Sequence, residues 1–192
     1  MTSVVPSCIA RWTPSEGPGL QHDLNALGEI LHACVHTGAS VSFVLPFLVA
    51  DATAFWRDQV LPSVFEGSRR VLLARLDGKI AGTVQLDFAT PPNQPHRAEV
   101  KKLLVHPDAR RCGIGRSLMR AVEDEAREAR RSLLTLDTVT GGWAESLYRS
   151  LGYVVSGVIP GYAFNFDSSE LQPTTVMYKE LSPSPTPLSK DA

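Results

Sequence analysis

A short loop ahead of a helix carries the residues best suited to bind phosphate. The sequence reads Arg-Arg-Cys-Gly-Ile-Gly-Arg over residues 110–116. Gly113 and Gly115 let backbone N–H groups approach a ligand without side chains in the way. These groups begin a helix, where they lack helical partners and the helix dipole favours an anion. The loop is therefore predicted to hold a diphosphate, with these candidate residues: Arg110, Arg111, Cys112, Gly113, Ile114, Gly115, Arg116 and Ser117.

Other phosphate-binding loops share part of this pattern. A P-loop NTPase requires lysine where Arg116 stands. The dinucleotide-binding fingerprint requires a third glycine where Leu118 stands, although Asp137 supplies the acidic residue expected about twenty positions further on. An ordinary glycine-rich start of a helix is the remaining alternative to a binding site.

Two motifs, in this order and about this far apart, resemble those of the GCN5-related N-acetyltransferase (GNAT) superfamily. The first is Arg-x-x-Gly-x-Gly at residues 110–115, directly after a predicted strand, and the second is Leu-Tyr-Arg-Ser-Leu-Gly-Tyr at residues 147–153. From about residue 20 to residue 181 the chain also resembles the tabtoxin-resistance acetyltransferases of pseudomonads. The residues that carry this second likeness are 38–43, 97–105, 136–138, Tyr148 and 160–162.

The resemblance implies a function as well as a fold. It implies direct transfer of an acetyl group from acetyl-CoA, a cosubstrate, to the amine of a small, amino-acid-like molecule, with toxin or antibiotic detoxification as a role. It also implies a homodimer, because members of the superfamily often pair. Residues 141–142 are glycines where many members carry asparagine, which puts any contact of that asparagine with pantetheine in doubt. The alternatives are a protein or peptide N-acetyltransferase and a non-catalytic acyl-CoA-binding module.

Acetyl transfer to an amine requires a group that removes a proton. An alkyl ammonium of pKa about 10.4 costs roughly 4–5 kcal/mol to deprotonate at pH 7, and a carboxylate within reach, directly or through a water, can accept the proton. Glu99 has the spacing of the base in histone-type members of the superfamily. Asp137 matches the site residue of the tabtoxin-resistance enzymes and is favoured, while Glu99 could instead pair with Arg97 or Lys101.

The departing thiolate and the carbonyl oxygen also need partners. Tyr148 is predicted to donate a proton or hydrogen bond to the sulfur of CoA, with packing in the core as its alternative role. Backbone N–H groups near the end of the strand are the predicted donors to the thioester carbonyl. These groups belong to Leu104 or Val105, and Leu103 is expected to bind the cofactor together with them.

The elements that must position these residues follow from hydrophobic periodicity and turn signals. They predict a single-domain α/β fold over residues 1–181, with a mixed, largely antiparallel sheet flanked by helices on both faces. Acceptor specificity is expected from residues 36–46 and from a loop at 160–173, and residues 182–192 are predicted to be a disordered Pro/Ser-rich tail. The predicted strands are 4–11, 70–76, 79–88, 97–105, 132–138, 153–159 and 174–179, and the helices start near residues 14, 48, 114 and 142.

Composition narrows the remaining function classes. The 192 residues include 19 Lys+Arg and 20 Asp+Glu, a near-neutral balance that argues against a nucleic-acid binder. Three cysteines without a C-x-x-C pattern favour a reducing compartment, and no apolar stretch predicts a signal or a membrane span. A cytoplasmic location without membrane association is expected. No metal is expected either, although His32 and His36 are spaced for one.

Overall fold

Seven strands form one sheet in the computed structural model, which describes residues 8–181. The strands are β1 (Cys8–Arg11), β2 (Arg69–Leu76), β3 (Lys79–Asp87), β4 (Arg97–Val105), β5 (Leu133–Val139), β6 (Val154–Phe164) and β7 (Leu171–Glu180). The α-helices are α1 (Pro18–His36), α2 (Val49–Phe55), α3 (Leu61–Phe65), α4 (Ile114–Glu128) and α5 (Trp143–Ser150). A π-helical segment, Trp56–Val60, joins α2 to α3, and a short 3-10 helix, Pro107–Ala109, precedes α4.

The sheet opens at its centre. Its order is β1-β2-β3-β4-β5-β7-β6, and β4 with β5 is the one parallel pair among the described strands. That pairing covers only Arg97–Glu99 against Leu133–Thr135, whereas β5 pairs with β7 along its whole length. Beyond Glu99 and Thr135 the backbone edges of β4 and β5 therefore lack each other as partners, which leaves a gap that a ligand can enter.

A bulge in β4 changes the direction of its side chains next to this gap. Gln85 of β3 pairs with Lys101 and Thr83 pairs with Leu104, so an extra residue of β4 is accommodated between these pairs. Lys102 adopts a left-handed φ of 49° there. Such a bulge shifts the alternation of side chains between the two faces of a strand. As a result, Lys102 lies on the same side of the sheet as α1 and α2.

Helices cover both faces of the sheet and bury two apolar clusters. The periodic apolar residues of α1 pack with α2 and Trp56 over β2, β3 and the end of β4, and include Leu24, Leu27, Ile30, Leu31 and Val35. The apolar side of α4 packs with α5 on the opposite face, and includes Ile114, Leu118, Met119, Val122 and Ala126. This arrangement is a single α/β domain in which β5 and β7 lie open on the α1 side.

The predicted order of strands and helices is confirmed, but several boundaries differ. The expected loop at 160–173 is wrong, because β6 continues to Phe164 and β7 begins at Leu171. Bulges interrupt the pairing of β6 with β7. The segment therefore lacks the regular alternation of side chains by which a strand is recognised in a sequence. Residues 4–7 of the predicted first strand and the predicted tail at 182–192 lie outside the described residues. Within residues 8–181, no helix is both long and apolar enough to cross a bilayer.

Candidate active site

The loop before α4 presents a concave row of backbone N–H groups. Arg111 and Gly113 have left-handed φ angles of 66° and 82°, and Gly113 is the N-cap of α4. The first helical hydrogen bond at this end runs from Ser117 N to Gly113 O. The N–H groups of Ile114 and Gly115 therefore precede the hydrogen-bonded turn and are available to an anion. This geometry fits the diphosphate of a nucleotide.

The arginines of this loop have different roles. Arg110 donates from Nη2 to Thr37 Oγ1 at 3.0 Å and from Nε to Val105 O at 3.3 Å, so its side chain fixes the loop to the end of α1. Arg116 donates to Ser150 Oγ at 3.0 Å, which ties α4 to α5. Arg111 lies 4.8 Å above the exposed Trp143 ring, and its charge stays at the surface beside the free amides. Cys112 turns its thiol toward the carbonyl of Arg110 at 3.5 Å.

Gly115 lies where α4, α5 and the end of β4 approach one another. A Cβ added there would lie 3.4 Å from Leu147 Cδ2 and 3.9 Å from Val105 Cγ2. A side chain would therefore fill the narrow space between α4, α5 and the end of β4. Gly113 has no heavy atom within 4 Å of such a Cβ, but its positive φ favours glycine. Backbone conformation therefore favours glycine at position 113, whereas at position 115 there is room for a Cβ but little for a larger side chain.

An open pocket of about 620 Å³ lies on the α1 side of the sheet, where β4 meets β5. The carboxylates of Glu99 and Asp137, which come from different strands, both line this pocket. Tyr162 of β6 closes one side. Such a volume suits a small molecule. The remaining lining residues are Gln94, His96, Arg97, Leu133, Thr135, Leu136 and Val176.

Asp137 is exposed in the pocket. It lies within β5, which continues to Val139, and it pairs with Val176 of β7. Thr174 Oγ1 lies 3.1 Å from Asp137 Oδ2 and can donate to it. No salt bridge to Asp137 forms within residues 8–181, so its carboxylate is free to accept a proton.

Glu99 has a cationic neighbour instead. Its carboxylate lies 3.2 Å from Lys101 Nζ, which is one of the two pairings that the sequence offered. Lys101 also bonds to the buried Asp87, at 3.1 Å. The Glu99 carboxylate is therefore already engaged in an ion pair. Of the two candidate bases, Glu99 forms a salt bridge and Asp137 forms none with another described residue.

Tyr148 lies on α5, on the opposite face from the pocket. It is 7% exposed, and its ring packs 5.8 Å from that of Tyr153. Burial and the negative charge of Asp137 both raise the pKa of the Tyr148 phenol above its ordinary value. The phenol therefore keeps its proton at neutral pH. No protein group in residues 8–181 forms a hydrogen bond with its hydroxyl, which leaves the hydroxyl free for a ligand.

Lys102, which no motif in the sequence indicated, lies on the same face of the sheet as the pocket. Its Nζ donates to Val41 O at 2.8 Å and to Ser42 Oγ at 3.0 Å, both in the cap loop (residues 37–48) that joins α1 to α2. The ammonium lies 5.5 Å from the Phe43 ring and 5.8 Å from the Phe55 ring. Burial lowers the pKa of Lys102 to about 8, and the charge of Asp137 opposes this shift. In the sequence, the adjacent Lys101 and Lys102 interrupt the alternation of polar and apolar residues that is typical of a strand. This interruption could have indicated the bulge and the position of Lys102.

The predicted carbonyl donors lie beside the gap. Leu104 is buried under α1, whereas Leu103 and Val105 pack toward α4. Alternate N–H groups of a strand point to each edge, and here the edge toward β5 lacks a strand partner. Backbone donors of Leu103, Leu104 and Val105 thus remain candidates. The described residues contain no cluster of three or more potential metal ligands.

Comparison with known proteins places this geometry in a family. A family model described as "Acetyltransferase (GNAT) family" matches residues 39–153. The match extends from the cap loop to Tyr153 and includes α5 and the loop before α4 (residues 110–116). The chain therefore belongs to the GNAT acetyltransferase family and is an enzyme of the N-acetyltransferase class.

Individual relatives carry related names. An IAA acetyltransferase of Azospirillum brasilense is 37% identical over 94 residues, which cover 48% of this chain and 60% of that protein. An uncharacterised N-acetyltransferase from the hisH–hisA intergenic region of the same organism is 34% identical over 118 residues, or 60% of this chain and 67% of that protein. The chain thus spans about two thirds or less of the length of these relatives.

Solved structures share the fold. A GNAT superfamily phosphinothricin acetyltransferase from Sinorhizobium meliloti, in complex with AcCoA, has a TM-score of 0.73 and 17% sequence identity, and the match covers 95% of each chain. At this identity the likeness concerns the fold alone.

Proposed function

We propose that the protein transfers the acetyl group of acetyl-CoA directly to the amine of a small, amino-acid-like molecule. The observation that carries this proposal is the position of three features around the gap between β4 and β5. Free amides before α4 lie at one end, the Tyr148 hydroxyl lies on the α5 face, and the carboxylate of Asp137 lies in the pocket on the other face. A donor and an acceptor could therefore approach the reacting centre from opposite sides.

The loop would bind the diphosphate of acetyl-CoA. The amides of Gly113, Ile114 and Gly115 supply hydrogen bonds and the dipole of α4 favours the anion, with Arg111 adding charge at the rim. The open edges of β4 and β5 offer backbone groups to the amide-rich arm of the coenzyme. The complex of the Sinorhizobium meliloti protein with AcCoA is consistent with this use of the fold.

Asp137 would accept the proton of the acceptor ammonium, directly or through a water. The neutral amine nitrogen then bonds to the acetyl carbon, and the carbon–sulfur bond breaks with its electron pair on sulfur. The nitrogen releases its second proton to solvent, from which the phenol of Tyr148 recovers a proton that it has given to the sulfur. Backbone N–H groups of Leu104 or Val105 would stabilise the carbonyl oxygen as its charge grows, which is worth about 3–4 kcal/mol. Tyr148 would donate its proton, or a hydrogen bond, to the sulfur.

Substitutions of matched glycines test the binding loop. Gly113→Trp places a large side chain beside the free amides, and we expect acetyl-CoA binding to be lost in isothermal titration calorimetry. Gly78→Trp is the control, because Gly78 has a similar φ of 78° and open space around it in the β2–β3 hairpin. Both residues lie in the left-handed region and should bear similar backbone strain. Equal binding by the two variants would refute the loop as the coenzyme site.

A panel of acceptors tests the reaction itself. Release of free CoA thiol from acetyl-CoA should depend on an added small amine, such as an amino acid or a diamine. Peptides with free N-termini distinguish the alternative of a protein or peptide N-acetyltransferase. Binding of acetyl-CoA without turnover of any amine would instead support a non-catalytic acyl-CoA-binding module.

The finer parts of the proposal rest on sequence resemblance. They are a role in toxin or antibiotic resistance and assembly as a homodimer; the proposed cytoplasmic location rests instead on the cysteine pattern. Expression in a sensitive bacterium tests the first, and light scattering of the purified protein tests the second. The family names of the relatives support only the transfer of an acetyl group.

A further inference from the structure

We infer that Arg97 binds a carboxylate of the acceptor, so that the acetylated molecule is a carboxylate-bearing amine rather than a simple amine. This inference rests on the proposed function and specifies the substrate class of the same pocket. Arg97 is the first residue of β4 and lines the pocket that contains Asp137.

The guanidinium is held in place by neutral groups only. Its Nε donates to Gln94 Oε1 at 2.7 Å, and its Nη1 donates to Thr135 Oγ1 at 3.0 Å. No carboxylate forms a salt bridge with Arg97 within the part of the chain that the structure describes. The Nη2 group and the second hydrogen of Nη1 consequently remain available in a half-buried position.

Arg69 and Lys101, which lie on the same face of the sheet, do have carboxylate partners. Asp87 accepts from Arg69 Nη2 at 2.8 Å and from Lys101 Nζ at 3.1 Å. Lys101 is shared with Glu99 at 3.2 Å. A half-buried charge without a counter-ion is costly, and a bound anion would offset that cost. Arg97 differs from Arg69 and Lys101 in this respect, and unlike Lys102, which bonds to the cap loop, it lines the pocket.

The pocket therefore has separated charges of opposite sign. Thr135, which holds the guanidinium, and Asp137 are two residues apart on β5, so they face the same side at a separation of about 7 Å. A molecule with an ammonium at Asp137 and a carboxylate at Arg97 would match both ends. The planar guanidinium can bind both oxygens of a carboxylate with charge-assisted hydrogen bonds.

Acceptor pairs that differ only by a carboxylate provide the test. The pairs are L-phenylalanine with phenethylamine, L-lysine with cadaverine, and 4-aminobutyrate with propylamine, with kcat/KM measured by release of free CoA thiol. The wild-type protein should favour the carboxylate member of at least one pair by on the order of 10²-fold. Arg97→Gln should abolish that preference and leave turnover of the simple amine within about threefold.

Two further variants separate a role of Arg97 in binding the substrate carboxylate from a role in maintaining the fold. Arg97→Lys keeps the charge without the planar fork and should retain part of the preference. Arg120→Gln removes an exposed arginine of α4 and should change neither member of a pair. If Arg97 only joined β4 to β5, its removal would lower both members of each pair equally. Circular dichroism of each variant checks the fold, and the wild-type preference is informative even if Arg97→Gln does not fold.

The outcomes distinguish this inference from the proposed function. Turnover of amines with no preference for the carboxylate member, or a preference that persists in Arg97→Gln, overturns the role of Arg97 and leaves the proposed acetyl transfer intact. Absence of acetyl-CoA binding, or of turnover with every amine, overturns the proposed function and the inference with it.

Discussion

Replacing Tyr148 by phenylalanine should impair chemistry without weakening the fold. The Tyr148 hydroxyl has no hydrogen-bond partner in residues 8–181, so its removal strands no protein group. We therefore expect the free energy of unfolding to change by less than about 0.5 kcal/mol. If the phenol donates to the departing sulfur, kcat should fall by about 10²–10⁴-fold, which corresponds to about 3–5 kcal/mol in the activation barrier.

Tyr153→Phe is the matched control. Tyr153 is 3% exposed, packs against Tyr148 with 5.8 Å between ring centroids, and buries a hydroxyl without a partner. Loss of that hydroxyl removes a desolvation cost, so the variant should be more stable by about 1 kcal/mol. Its kcat should remain that of the wild type, because the missing group has no proposed role.

The assay combines steady-state kinetics, acetyl-CoA titration and urea unfolding for both variants. Only Tyr148→Phe should lower kcat, and neither should alter acetyl-CoA affinity more than about twofold. Because the pKa of Tyr148 is raised, its protonation should not limit the rate between pH 6 and pH 9. Unchanged turnover in Tyr148→Phe, with saturating amine, would show that another group protonates the sulfur.

Three other predictions address the remaining residues. Asp137→Asn should lower the single-turnover rate of acetylation far more than Glu99→Gln across pH 6–9, because Lys101 already pairs with Glu99; the reverse order would make Glu99 the base. Burial lowers the pKa of Lys102 to about 8 in the fold, against 10.5 for an ordinary lysine side chain. The unfolded chain therefore binds more protons between these pH values, and stability should rise there with pH, by at most about 3 kcal/mol. Urea unfolding of Lys102→Met should lack this rise, and a slope equal to that of the wild type would contradict the burial of the charge. Gly115→Val should reduce acetyl-CoA affinity at least tenfold in calorimetry, since its added methyl groups would enter the space beside Leu147, and normal affinity would show that the space is not used.

The local features of the site were readable from the sequence. The loop before α4 is formed by glycines and free amides within one turn of the helix. The spacing of neighbouring residues is enough to predict a loop of this kind. The order of strands and helices followed in the same way from hydrophobic periodicity. The pattern failed at 160–173, where bulges in β6 interrupt the regular alternation of a strand.

Contacts between residues far apart in the sequence could not be predicted from local spacing or hydrophobic periodicity. The sequence offered Arg97 or Lys101 as partners for Glu99, and only the register and bulge of β4 show that Lys101 takes this role. Lys102 reaches the cap loop about sixty residues earlier in the chain, and no local pattern indicates such a contact.

The sequence by itself determined the glycine-containing turn at the start of α4, the succession of elements and the types of residue that could exchange protons. The tertiary structure decided where β4 and β5 part, which carboxylate has a cation beside it, and that Arg97 lines the pocket without a salt bridge to another described residue. The physical reason is that a turn is defined by dihedral angles and hydrogen bonds within a few residues. Charge pairing and burial depend instead on how strands far apart in the sequence align in the sheet.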